Sequence, residues 1–175
     1  MPRPFTLPTV PAVDPITVDV DAIVDAIVSS DRFESDDETL TVRLTREHDP
    51  DVSLTDYDYW GKSEAARHNY NGYAPRPSDM DGSARIVWRD RGQATWWQPP
   101  ADVVNDPEAL ASLERLVRGW YGDEWTYEVW TVRVERGGVK CRASLGGLGS
   151  DTDGDYAREV VSGLVTDALN ELAQG

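Results

Sequence analysis

The sequence predicts an α+β protein: an antiparallel sheet of about five strands built from hairpins, with about three helices packed mainly on one face. Three observations lead there. Apolar residues recur at helical spacing in three separate segments, around residues 20–28, 110–120 and 157–172. Two stretches, 85–98 and 125–145, alternate apolar and polar residues and carry glycine near their middles, as β-hairpins do. Helices before, between and after such hairpins argue for an antiparallel sheet covered by helices.

The totals fit that reading. A chain of 175 residues with 39% apolar content, seven Trp and seven Tyr suits one folded unit, expected here over residues 19–175 behind an extended arm at 1–18. The arm is expected because Pro2, Pro4, Pro8, Pro11 and Pro15 exclude a helix. Cys141 is the single cysteine, so no intramolecular disulfide and no cysteine-based zinc site can form. No apolar run reaches membrane-spanning length, and residues 1–15 lack the apolar stretch of a signal peptide. The chain is therefore expected in the cytoplasm, away from membranes.

The elements follow in order. Val20, Ile23, Val24, Ile27 and Val28 make one face of a first helix, with Asp19 placed to cap it. The acidic run from Glu34 to Glu38 reads as a turn, and Leu40, Val42 and Leu44 then alternate with polar residues as a half-buried strand. Residues 46–83 show no sustained period and form a long irregular loop, expected to hide a short strand around 57–62. In the first hairpin, a three-residue loop Asp90-Arg91-Gly92 would pair Ile86 with Trp96 and Trp88 with Ala94 on the core face. Arg85 would then lie beside Trp97, and Val87 beside Thr95, on the opposite face, a cation–π geometry.

Asp106-Pro107-Glu108 starts the second helix, which Leu110, Leu113, Leu116, Val117 and Trp120 line and Gly122 ends. A two-residue Gly137-Gly138 turn would pair Val134 with Cys141, Val132 with Ala143 and Trp130 with Leu145 in the second hairpin. It would also set Arg133 opposite Arg142, two like charges either tolerated in solvent or held for an anion. The last helix runs from about Asp155 to Ala173.

Several site motifs fail on their own terms. Gly61-Lys62-Ser63 lacks the earlier glycine of a phosphate loop, whose place Asp56 occupies. Asp151, Asp153 and Asp155 are spaced as in a calcium loop, but Tyr156 and Ser162 stand where its glycine and bidentate glutamate belong. His48 and His68 are separated by irregular chain that gives them no shared geometry. No catalytic residue, metal or cofactor is therefore assigned.

Charge leaves one candidate region. The net charge is −15, yet residues 61–100 carry six basic against four acidic side chains between strongly acidic flanks. The chain as a whole has too little clustered positive charge for duplex DNA. Trp60, Lys62, Arg67, Tyr70, Tyr73, Arg85, Arg89, Arg91 and Trp97 form the candidate binding set, because aromatic faces among arginines can stack a base, hold a phosphate or anchor a protein partner.

Asp58-Tyr59-Trp60-Gly61-Lys62, Asp81-Gly82-Ser83-Ala84-Arg85, Trp96-Trp97-Gln98-Pro99-Pro100 and Asp155-Tyr156-Ala157-Arg158-Glu159 resemble stretches of a group of small actinobacteriophage proteins of unassigned function. The resemblance covers most of the chain after residue 20 and implies a phage-encoded origin, with no catalytic residues to carry over. The leading expectation is a non-enzymatic phage accessory protein that binds a host or phage macromolecule, a protein above all, in the infected cell. The alternatives are a binder of a small anionic ligand such as a nucleotide, an acidic DNA mimic or other counter-defence protein, and a virion component. An enzyme stays open, because acid–base groups need only geometry.

Overall fold

The structure is a computed structural model that describes residues 18–174. The arm expected over residues 1–18 lies outside the described residues except for Val18. The chain is α+β, with three helices and two antiparallel sheets. It divides into two compact units. One takes the described residues up to Thr45 with Trp130–Leu145 and the stretch from Asp153; the other takes Arg46–Val129 and Gly146–Thr152.

The first unit is built on helices α1 (Val20–Ser30) and α3 (Gly154–Gln174) and on the sheet that β1 (Arg32–Glu34), β2 (Leu40–His48), β6 (Tyr127–Arg136) and β7 (Val139–Gly149) form in the order β1-β2-β6-β7. The Asp19 carboxylate accepts from the Asp21 and Ala22 amides and starts α1 where the sequence placed its cap. Ile23, Val24 and Ile27 are buried, while Val28 is exposed. The α1 helix packs along α3, whose buried side includes Val161, Leu164, Val165 and Ala168, and Arg158 of α3 pairs with Asp25 of α1. Leu40, Val42, Leu44, Trp130, Val132 and Val134 supply the sheet's buried side chains.

Gly137 and Gly138, with φ of 58° and 86°, make the tight turn between β6 and β7. Glu135 meets Lys140 at 3.2 Å and Thr131 meets Ser144 at 2.9 Å, which is the pairing expected from the sequence. Leu145, expected in the core opposite Trp130, is exposed. It lies on an edge strand, where cover comes from one neighbour only.

The second unit holds β3 (Lys62–Arg67), β4 (Arg85–Asp90) and β5 (Gln93–Gln98) in the order β3-β5-β4, with α2 (Pro107–Tyr121) packed against β4. Asp106 caps α2 through the Glu108 and Ala109 amides, and Gly122 closes it. The single sheet of about five strands is thus corrected to sheets of four and three strands. Two short strands account for the difference. Arg32–Glu34 extends into residues read as a turn, and Lys62–Arg67 follows a segment, 57–60, expected to be strand but folded as a 3-10 turn.

The first hairpin also differs from expectation. Its turn has two residues, Arg91 and Gly92 (φ 35° and 90°), which sets Asp90 opposite Gln93, Arg89 opposite Ala94 and Trp88 opposite Thr95. A bulge between Ile86 and Trp88 then shifts the register, so that the expected pairs Ile86–Trp96 and Arg85–Trp97 hold while Trp88–Ala94 and Val87–Thr95 do not. The exposures differ as well: Trp97 is 0% exposed and Val87 is buried, whereas Trp88, assigned to the core, is 39% exposed.

Candidate functional site

The second unit owes its surface to a short aromatic segment. Ser53 and Asp56 form a reciprocal capping box around the 3-10 turn Leu54–Asp56, and a second turn, Asp58–Trp60, follows at once. Such tight turns place Tyr57, Tyr59 and Trp60 together rather than spreading them along a strand. Tyr57 stacks on Tyr59 at 5.2 Å between centroids, Tyr59 lies 5.1 Å from Trp60, and Trp60 lies 5.5 Å from Trp125. Trp120 and Tyr127 complete the ring network, each at 5.1–5.4 Å from Trp125. Spacings of this kind add about 0.5–1.5 kcal/mol per pair beyond area burial.

Hydrogen bonds fix the rings. Trp60 Nε1 donates to Tyr127 Oη at 2.7 Å, Trp97 Nε1 to the Trp60 carbonyl at 2.6 Å, and Trp125 Nε1 to the Leu116 carbonyl at 2.8 Å. Burial, together with the neighbouring Tyr59 hydroxyl, pushes the Tyr127 phenol well above the usual tyrosine range despite the Trp60 donor. Tyr127 therefore stays protonated at neutral pH and serves as a neutral part of the scaffold, not as a base.

Two concavities open beside this network. One, of ≈ 230 Å³, is lined by Tyr59, Trp60, Leu116, Trp125, Tyr127 and Asp151 among others. The second, of ≈ 350 Å³, is lined by Tyr59, Pro100, Asp102, Val103, Leu113 and Leu116. They share Tyr59 and Leu116, which are 57% and 38% exposed. These two exposed apolar side chains thus stand between two depressions, each of which an exposed aspartate, Asp102 or Asp151, helps to line.

The sequence-derived binding set is only partly brought together. Trp60 and Trp97 join in the core, where Trp97 packs with Leu54, Val87, Val117, Trp125 and Tyr127 and presents no surface. Lys62 and Arg67 lie at opposite ends of β3, facing Gln98 and Gln93 in register. Lys62 pairs with Asp79, Arg91 lies 3.9 Å from Asp90, and Arg89 reaches His68 at 3.3 Å. Tyr70 and Tyr73 are exposed in the loop before β4. The expected Arg85–Trp97 cation–π surface is absent, since Trp97 is buried and Arg85 bonds Glu114 at 2.9 Å.

That last bond belongs to a brace. Arg118 donates to Glu114 through Nε and Nη2, at 2.9 and 2.7 Å, and to the Val87 and Ile86 carbonyls at 2.9 Å each. Two carbonyls of β4, an edge strand, thus receive hydrogen bonds from α2. Burial works against the Glu114 charge, but the hydrogen bonds from Arg118 and Arg85 outweigh it and hold the carboxyl below the ordinary glutamate range. Replacing Glu114 by Gln is expected to cost about 1–2 kcal/mol at neutral pH, after allowing for the partly exposed arginines. Because the folded-state pKa is depressed, this contribution is full above the unfolded glutamate value and is lost as pH falls through the folded one. Urea unfolding of both proteins across acid pH checks this, with the gap between them narrowing towards low pH.

Sequence reasoning missed Leu116 as a surface residue. It sits at the edge of the apolar arc of α2, and that edge position was the available signal. Comparison of the chain with protein-family models, with curated proteins and with solved structures gives no match.

Proposed function

We propose that the chain is a non-enzymatic binding module that holds a protein partner through the Tyr59–Leu116 surface of its second unit. The observation carrying this reading is that two adjoining concavities share these two exposed side chains. Rigid aromatic anchors over a packed base are what the strongest contacts of protein interfaces consist of. The partner's complement is an apolar side chain that fills a concavity, surrounded by Lys or Arg facing Asp102 and Asp151. A phage-encoded accessory role in an infected cell, against a host or phage macromolecule, agrees with the resemblance of the sequence to small actinobacteriophage proteins.

A photo-reactive benzoylphenylalanine at Ser112, in the lining of the second concavity, tests the proposal in host lysate. A single adduct is expected that excess unlabelled wild type suppresses. Unlabelled Leu116→Asp or Tyr59→Ala protein is expected to compete at least about tenfold less well, as for loss of an interface anchor. Equal competition by the variants would overturn the assignment.

A further inference from the structure

The first unit carries a row of arginines that neither the fold nor the proposed partner surface uses. Arg32 is the register partner of Arg43. The Thr45 hydroxyl reaches the Thr131 carbonyl, so in the antiparallel ladder Arg43 falls beside Arg133, two residues further along each strand. Arg133 in turn falls beside Arg142, in the same register that joins Glu135 to Lys140 and Thr131 to Ser144. Four guanidinium groups thus cross the exposed face of the four strands in one line, in a chain of net charge −15.

Arg32 is engaged by Glu34, at 2.5 Å. The side chains of Arg43, Arg133 and Arg142 make no hydrogen bond or ion pair with any described residue. All three line one depression of ≈ 760 Å³ together with Lys140, against two carboxylates, Glu135 and Glu171. Glu135 is taken by Lys140. Like charges directly opposed across strands are destabilising, and burying nothing apolar they gain nothing from their neighbours. A bound anion removes that repulsion.

We propose that this arginine row binds a small anion made of linked phosphate groups. The planar guanidinium fork matches phosphate oxygens two at a time. Strands lie about 4.8 Å apart, so three adjacent arginines span about 10 Å, a length suited to several phosphates rather than one. The alternate positions around them are half-buried Thr41, Thr45 and Thr131 and exposed Ser144, with no aromatic ring to stack a base. Recognition is therefore of the phosphates themselves. A long nucleic-acid strand would also meet the negative field of the remaining surface, which a compact anion avoids.

Calorimetric titration of the full chain with tripolyphosphate at low salt tests this. Wild type is expected to bind, and Arg43→Gln/Arg133→Gln/Arg142→Gln to lose binding at least about a hundredfold, as for loss of several charge-assisted hydrogen bonds. Removing the same charge at the end of the three-stranded sheet, by Arg67→Gln/Arg89→Gln/Arg91→Gln, is expected to leave affinity nearly unchanged. The single variant Arg133→Lys, which keeps charge but loses the fork, is expected to fall between. Thermal midpoints of the row variants are expected to equal or exceed wild type, because repulsion is removed. Absence of wild-type binding, or equal loss in both triple variants, would overturn the proposal. Tighter arginine-dependent binding of a single-stranded oligonucleotide than of tripolyphosphate would overturn it in favour of an extended strand.

Discussion

Trp97→Ala is expected to destabilise the second unit by about 3–5 kcal/mol, the range for removing a large buried aromatic side chain. Trp97 is 0% exposed on the middle strand of the three-stranded sheet, and its neighbours in the core come from the 3-10 segment, from β4, from α2 and from Trp125 and Tyr127. The cavity left by the indole cannot be closed by one element moving, because several would have to shift together. Its Nε1 also supplies the hydrogen bond to the Trp60 carbonyl. Trp97→Phe, which keeps most of the volume but leaves that carbonyl without its donor, is expected to cost less, about 1–3 kcal/mol. Against a typical total of about 5–15 kcal/mol, the alanine loss is large enough to read directly from urea midpoints. A loss under about 1 kcal/mol would contradict the placement of Trp97 in the core.

Gly61→Ala is expected to be of similar size for a different reason. Gly61 has φ of +81°, and a Cβ built there would stand 2.3 Å from the Gln98 carbonyl oxygen, 3.0 Å from Trp97 Nε1 and 3.1 Å from Pro100 Cδ. The oxygen belongs to the backbone of the middle strand, so it cannot swing aside as a flexible side chain would. Conformational strain of about 1–3 kcal/mol adds to an overpacking cost of about 1–3 kcal/mol. Gly72→Ala is the matched control, with φ of +75° and nothing within 4 Å of the new Cβ. It is expected to show the conformational part alone, so unfolding midpoints that do not separate the two variants would contradict the close approach at Gly61.

Both predictions turn on a region that the sequence disclosed unevenly. The two capped helix starts were legible because Asp19 and the Asp106-Pro107 pair act through local hydrogen bonds that need no tertiary context. The Gly137-Gly138 turn was legible for the same reason, and through it the pairing of Arg133 with Arg142. Arg43, and with it Arg32, joins that row only through Arg133 on a strand distant in sequence, which no local pattern reveals. The strand Lys62–Arg67 gave little alternation, since Ala65 and Ala66 sit side by side in it. In the first hairpin the face that carries Arg85 and Trp97 proved to be the covered one, so that Trp97 is buried and Trp88 exposed. Alternation separates the two faces of a strand but does not say which of them distant elements cover, and here Leu54, Val117, Trp125 and Tyr127 pack on Trp97.

For the candidate site, composition pointed to aromatic residues among cations, and the structure gives two of those cations acidic partners. Lys62 and Arg85 are held by Asp79 and Glu114, acids far from them in the sequence. Trp60 lines one of the two concavities, and Tyr59, outside the set chosen from the sequence, lines both and is exposed.

Hydrogen–deuterium exchange of the full chain with and without its crosslinking partner tests the central claim most directly. The proposed surface requires added protection in the Asp58–Trp60 turn, in residues 100–103 and along α2 up to Leu116. Protection confined to the hairpin of β4 and β5 and to the loop carrying Tyr70 and Tyr73, with none around Tyr59 and Leu116, would contradict it.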